Sequence, residues 1–183
     1  MINYKKARSI LKNSKINIGN ELLNTNRCLN RVVAKNIYVK TYYPSENNAA
    51  FDGFAVNSNE TKKLSNKFTK KFKIIGSIAA GNKPIKKAIK KLNTIEIMTG
   101  GLIPKSFDAI VPIEKAEFYP NKNKPKYIIL NQRVRKYSHV RFKGSDYKKN
   151  DLLIKKGTII QSNHILALKT LGITKVKVKK LPN

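Results

Sequence analysis

The sequence holds a single cysteine, Cys28, two histidines, His139 and His164, and no tryptophan in 183 residues. One cysteine excludes a disulfide framework and a cysteine metal site. Two histidines far apart give a histidine metal centre almost no support, and His164 reads as a surface residue of a helix start. No apolar run approaches the roughly 20 residues that cross a bilayer. The N-terminal "MINYKKARSILKNSK" lacks the apolar region and small-residue cleavage site of a signal peptide. A soluble cytoplasmic protein is the expectation. Negative charge is scarcest of all: 10 Asp and Glu face 39 Lys and Arg, for a formal net charge of +29. Such a chain attracts polyanions, nucleic acid first among them. A specific nucleic-acid binder, however, gathers its basic residues on one face beside aromatics or a docking helix. Here lysines run from Lys5 to Lys180 among many Asn and Ile. A solvated surface shaped by AT-rich codon usage is the favoured explanation, with nonspecific nucleic-acid binding second.

What is present argues for a packed fold. Hydrophobic residues make up 40% of the chain and recur along its whole length, enough for one large domain or two small ones. Tyr4, Ala7, Ile10 and Leu11 share one face at helical spacing. A second helix is expected over Asn26 to Ala34, where Cys28, Leu29, Val32 and Val33 are apolar. "NIYVKTYYP" then reads as an extended exit ending at Pro44. From Pro44 to about Tyr137, short Ile- and Val-rich runs bounded by Gly, Pro or Asn predict strands: "FKIIGSIAAG", "NTIEIMTGG", "DAIVPIEKAEF" and "PKYIIL". "YPNKNKPK" predicts a loop between two antiparallel strands. In the last third, "DLLIKKGTIIQ" predicts two strands around a Lys-Lys-Gly turn. "SNHILALKTLGI" predicts a helix capped by Ser162 or Asn163 and closed by a left-handed Gly172. The alternation in "TKVKVKKLP" predicts a half-buried strand.

Three places combine polar chemistry with a permissive backbone: Asp52-Gly53, "MTGG" (Met98 to Gly101) and "RFKGSD" (Arg141 to Asp146). Each alone is ordinary turn chemistry. Together they place two carboxylates beside glycines, and such a pair can hold a hydrated Mg²⁺ or set water against a phosphate ester if the two meet in a cleft. Arg141 and Lys143 beside Asp146 suit an anionic substrate and favour an ionised carboxylate. Spacing alone does not bring these places together.

The order of the motifs resembles the N-terminal half of the MoeA/gephyrin E-domain family, the molybdopterin molybdenumtransferases. Asn48 to Val56, "NAAFDGFAV", is similar to the family's "NSAMDGYAV". Gly76 to Gly81, "GSIAAG", is similar to its "GxxxAG" element. Ile97 to Glu114, "IMTGGLIPKSFDAIVPIE", echoes "IMTGAPLPEGADAVVPVE", and His139 to Tyr147, "HVRFKGSDY", echoes "NIRxxGEDI". The closing strands, helix and alternating strand fit the family over Leu152 to Val178. This chain departs from the pattern at Ala49, Phe51 and Phe54, which removes two hydroxyls, and at Ser145, which replaces a Glu.

The resemblance implies an α+β fold: a discontinuous helix-containing domain of residues 1–43 with 139–183, carrying a β-rich insert at 44–138. It implies that Asp52, Asp146 and Thr99 line an active-site cleft, with Asp52 and Asp146 as candidate Mg²⁺ ligands. Gly100, Glu114 and Lys143 are candidate contacts to the bound cofactor precursor. The implied reaction is insertion of molybdate into adenylylated molybdopterin. Family members continue beyond the region matched here into a molybdopterin-binding domain. The resemblance therefore implies a homodimer, or a partner carrying that domain, with this chain a fragment, a split-gene subunit or a degenerate remnant that is inactive alone. A non-catalytic dimerisation or scaffold module is the alternative.

Overall fold

The computed structural model describes residues 2–14, 18–83 and 89–182. In chain order the elements are α1 (Tyr4–Asn13), β1 (Asn20–Asn24), β2 (Ile37–Tyr38), β3 (Asn48–Ala49), β4 (Gly53–Val56), β5 (Lys70–Ile78) and β6 (Asn93–Ile97). There follow β7 (Ala109–Pro112), β8 (Glu117–Tyr119), β9 (Tyr127–Leu130), β10 (Val140–Arg141), β11 (Leu152–Ile154), α2 (Ser162–Thr170) and β12 (Lys175–Lys179). They form two compact units, one of Met1–Lys40 with Asn150–Asn183 and one of Thr41–Lys149. Both helices lie in the first unit, and the second is β-rich. This is the α+β arrangement of a discontinuous helical domain interrupted by a β-rich insert. Residues 139–149 cluster with the β-rich unit, because β10 pairs with β3 and Tyr147 bridges Tyr43.

In the first unit, β1 and β12 pair antiparallel from Asn20↔Lys179 to Asn24↔Lys175. Lys175 and Lys177 of β12 face solvent while Val176 and Val178 are buried, as the period-two pattern demands. Those valines join Cys28, Val33, Ile154, Ile160 and Leu168 in one core. The Thr25 hydroxyl donates to the Ile173 carbonyl at 2.6 Å, and Arg31 bridges Glu21 and the Lys179 carbonyl. Burial pushes the Cys28 thiol up, against the opposing pull of Arg31, so Cys28 is an inert core residue.

The expected helix over Asn26 to Ala34 does not form. Thr25–Arg27 makes a single 3-10 turn, with the Asn24 side chain accepting from the Asn26 amide, and Asn30 then takes φ 61°. Val32 and Val33 run extended and bridge Ile159 and Val178. The i, i+4 spacing of Cys28 with Val32 and Leu29 with Val33 imitates a helix. Adjacent β-branched valines are equally served by pairing, and the partner strands decide the outcome. For the same reason β11 does not return on itself after the Lys-Lys-Gly turn. It pairs with β2, while Ile159 turns to Val32. α2 begins one residue earlier than its expected caps. Gln161 occupies the cap position, and its amide donates to His164 Nδ1 at 3.0 Å. Gly172 closes the helix at φ 68°, as expected.

The β-rich unit is built on a six-stranded sheet in the order β7-β4-β6-β5-β9-β8 among the described residues. β5 and β6 are parallel and the other neighbours antiparallel. Every residue of β4 and β7 is buried, because the sheet carries a core on each face. Phe54, Val56, Ala109 and Val111 point into one core with Phe72, Ile128 and Leu130. Ala55 and Ile110 point into the other with Ile78, Ile95 and Ile97. A strand covered on both faces reads as a continuous apolar run rather than an alternation, which is how "GFAV" and "AIVP" appear in the sequence. The loop between β8 and β9 joins antiparallel strands as expected.

Candidate active site

The site grows from the point where β3 hands over to β4. Gly53 begins β4 opposite Pro112 of β7, and a Cβ there would lie 2.0 Å from the Val111 carbonyl oxygen. Only glycine lets the two backbones meet, and this close approach fixes the turn that projects Asp52 outward. The turn after β6 lies against it. Gly100 takes φ 81° and donates to the Ala49 carbonyl at 2.9 Å, while the Ala49 amide donates to Gly101 at 2.9 Å. Gly101 has no room for a Cβ, with Ile97 Cγ1 and the Met98 carbonyl each 2.8 Å away. This lacing delivers Thr99 to Asp52.

Asp52 Oδ1 accepts from the Thr99 amide at 2.6 Å and from the Thr99 hydroxyl at 2.7 Å. These bonds, the hydroxyl first and the amide second, hold the Asp52 carboxyl below the usual carboxylate range against a small desolvation penalty. Oδ2 makes no hydrogen bond among the described residues, so an ionised oxygen faces outward from a fixed side chain. Because the folded value is depressed, the stabilisation it provides is present at neutral pH and is lost as pH falls through that value. Thr99→Val removes the hydroxyl and keeps the amide donor. Carboxyl NMR titration of that variant should show the Asp52 midpoint moving up toward the ordinary range, and an unmoved midpoint would refute the hydroxyl as its main cause.

Asp146 is held in a second cluster of the same unit. β10 pairs with β3 through Val140↔Ala49 and Arg141↔Asn48. The following loop turns at Gly144, whose φ is 70° and whose amide donates to Pro44 at 2.9 Å. Asp146 Oδ2 accepts from Arg141, and Oδ1 accepts from the Ser145 hydroxyl at 3.0 Å. Arg141 is the first cause holding the Asp146 carboxyl below the usual range, with Ser145 adding to it. Ser145 thus stands in the loop as a partner of the acid. Lys143 pairs with Glu46 at 3.3 Å, and its amide donates to Asn47 Oδ1 at 2.9 Å. Glu114 lies exposed in the short turn after β7, next to Ile113, whose amide donates to the Asp52 carbonyl at 3.1 Å.

Thr99 and Asp52 are therefore brought together, and Gly100 shapes their turn. Asp146, Arg141 and Lys143 share the neighbouring loop, and no hydrogen bond joins Asp146 to Asp52 among the described residues. The described residues also contain no group of three or more His, Cys, Asp or Glu side chains placed to hold a metal. Asn48 went unnoticed in the sequence. It is 7% exposed, and its Oδ1 is a buried acceptor without a partner among the described residues. Its signal was its place at the head of the "NAAFDGFAV" motif. Phe51 packs its ring edge-on against His139 at 4.9 Å, tying the Asp52 turn to the segment before β10.

A helix-bearing unit interrupted by a mixed sheet, with a Thr-clasped aspartate just ahead of an inner strand, has a close structural likeness. The crystal structure of a molybdopterin biosynthesis MoeA protein from Pyrococcus horikosii matches 99% of this chain with a TM-score of 0.86 and 30% identity. Residues 2–172 match the family model described as the MoeA N-terminal region (domain I and II), and the chain belongs to that family. Among curated relatives, a molybdopterin molybdenumtransferase from Staphylococcus epidermidis is 28% identical over 181 residues, and one from Bacillus subtilis 29% over 154. The chain spans 42% of the first, 35% of the second and 45% of the archaeal protein. It is similar to less than half the length of each.

Proposed function

We propose that this chain supplies the acid-bearing part of a composite site for molybdenum cofactor biosynthesis, in which molybdate is inserted into adenylylated molybdopterin. The observation that carries this reading is the clasp of Asp52 by Thr99, which leaves one ionised oxygen open on a rigid turn. Such an oxygen suits Mg²⁺, which keeps several waters and binds through one or two carboxylates plus substrate phosphates. When bound, the ion would neutralise phosphate charge and polarise the bond to be cleaved. Asp146 fits less directly, since Arg141 and Ser145 take both of its oxygens; it would reach a cation only by giving up Arg141. Its role in this account is to orient the Arg141 guanidinium, whose other N–H groups can meet an anionic substrate. Lys143 offers a point charge from the same loop, and Glu114 and the Gly100 turn flank the Asp52 side.

The molybdopterin pocket is proposed to lie on the part of the relatives that this chain does not match, carried by a partner polypeptide or a second subunit in the cytoplasm. Complementation tests this in cells. A strain lacking its molybdopterin molybdenumtransferase would receive this chain and the unmatched part of the Bacillus subtilis relative as separate polypeptides. Recovery of molybdoenzyme activity only with both supports the composite site. Failure with both folded and present would favour a scaffold role.

A further inference from the structure

The β-rich unit holds a groove of about 220 Å³ that none of the preceding chemistry uses. Three separate segments line it. Lys115 follows β7, Arg133 and Arg135 follow β9, and Ser138 precedes β10. No acidic side chain lines the groove, and none of the three cations forms an ion pair among the described residues. Unpaired lysines are common in a chain of net charge +29, so charge alone singles out nothing. The concavity does. Val111, Leu130 and Val134, which share one core face, give it an apolar lining beside the cations, and a low-dielectric wall focuses their field where a convex surface disperses it to water.

The wall is also built in advance of any ligand. The fully buried Thr61 hydroxyl accepts from the Val134 amide at 3.0 Å. The Tyr137 amide donates to Asp108 at 2.8 Å, the Ile110 amide to Ser138 at 3.0 Å, and the Ala50 amide to His139 at 2.9 Å. Within this frame Tyr137 and His139 are held at φ 65° and 55°. Two side-chain-bearing residues in the left-handed region persist only where their surroundings over-determine them, and such strain gathers at ligand sites.

We propose that this groove binds a small phosphate-bearing anion, a phosphomonoester or a diphosphate group. Two guanidinium forks match phosphate oxygens in pairs, an ammonium adds a point charge, and Ser138 and Gln132 supply neutral donors. Its volume lies below the roughly 300–1,000 Å³ of sites that enclose a whole drug-sized ligand, which suits the phosphate end of a molecule. The inference stands apart from molybdenum insertion and does not require it.

Titration of inorganic pyrophosphate into the ¹⁵N-labelled chain at ~0.15 M salt tests it, since that salt screens diffuse surface attraction. Saturable shifts confined to residues 110–115 and 132–139 are expected. The Arg133→Gln/Arg135→Gln pair should weaken binding about tenfold or more, and Lys115→Gln alone by a smaller factor. Lys155→Gln/Lys156→Gln, on exposed residues of the other unit, should change it less than about twofold. All five side chains are solvent-exposed, and amide dispersion will report that each variant is folded. Shifts that never saturate, or equal weakening by the distant pair, would overturn the proposal. So would a single-stranded oligonucleotide that displaces pyrophosphate while shifting residues across the whole unit, because the groove would then belong to a nucleic-acid surface.

Discussion

Asp52→Asn is expected to reduce molybdenum insertion by the complemented site by about 100-fold or more while lowering the melting transition only slightly at neutral pH. The asparagine oxygen can still accept from the Thr99 amide and hydroxyl, the two bonds that Asp52 Oδ1 accepts, so the turn keeps its shape. What disappears is the charge on the outward oxygen. A neutral amide there is a poor Mg²⁺ ligand and cannot hold phosphate and metal in one place. Asp52→Glu separates charge from position: it keeps the carboxylate but displaces it from Thr99, and should recover only a small part of the activity. Parallel activity and thermal-melt measurements on both variants check this. A fully active Asp52→Asn variant would remove Asp52 from the chemistry.

Gly53→Ala acts through the fold. Its Cβ would sit 2.0 Å from the Val111 carbonyl and 2.9 Å from Pro112 Cα, both backbone atoms of a strand buried on each face. Neither can swing aside as the end of a flexible side chain could. Overpacking of this kind costs about 3 kcal/mol or more, and the melting midpoint of the β-rich unit should fall by roughly 10 °C or more. Gly81→Ala is the comparison. Gly81 has φ 84° but open space around its Cα, so only the left-handed backbone penalty of about 1 kcal/mol applies. A Gly53→Ala variant no less stable than Gly81→Ala would show that the backbones of β4 and β7 do not approach this closely at Gly53.

Much of the β-rich unit was legible because its strands are short apolar runs cut by Gly, Pro and Asn, and β5, β6, β7 and β9 fall where those runs do. The order of five motifs carried the family. What was not legible depended on partners distant in sequence. Cys28, Leu29, Val32 and Val33 fit a helix by spacing, and only pairing with Ile159 and Val178 makes the segment extended. Gln161 rather than Ser162 caps α2 because His164 is placed to receive its amide. Asp52 and Thr99 could be nominated separately, but their contact is set by glycine geometry at positions 53, 100 and 101. The groove was beyond reach for the same reason: Lys115, Arg133 and Arg135 are three ordinary basic residues until the sheet gathers them.

We propose that Asp52 works in a site completed outside this chain. The most direct test is molybdenum incorporation in vitro from molybdate, Mg²⁺ and adenylylated molybdopterin. The purified chain would be assayed alone, and with the unmatched portion of the Staphylococcus epidermidis relative supplied as a separate polypeptide. Molybdenum cofactor is expected only when both are present, and none when the chain carries Asp52→Asn. Cofactor formation by the chain alone, or by the added portion equally well without it, would contradict the proposal.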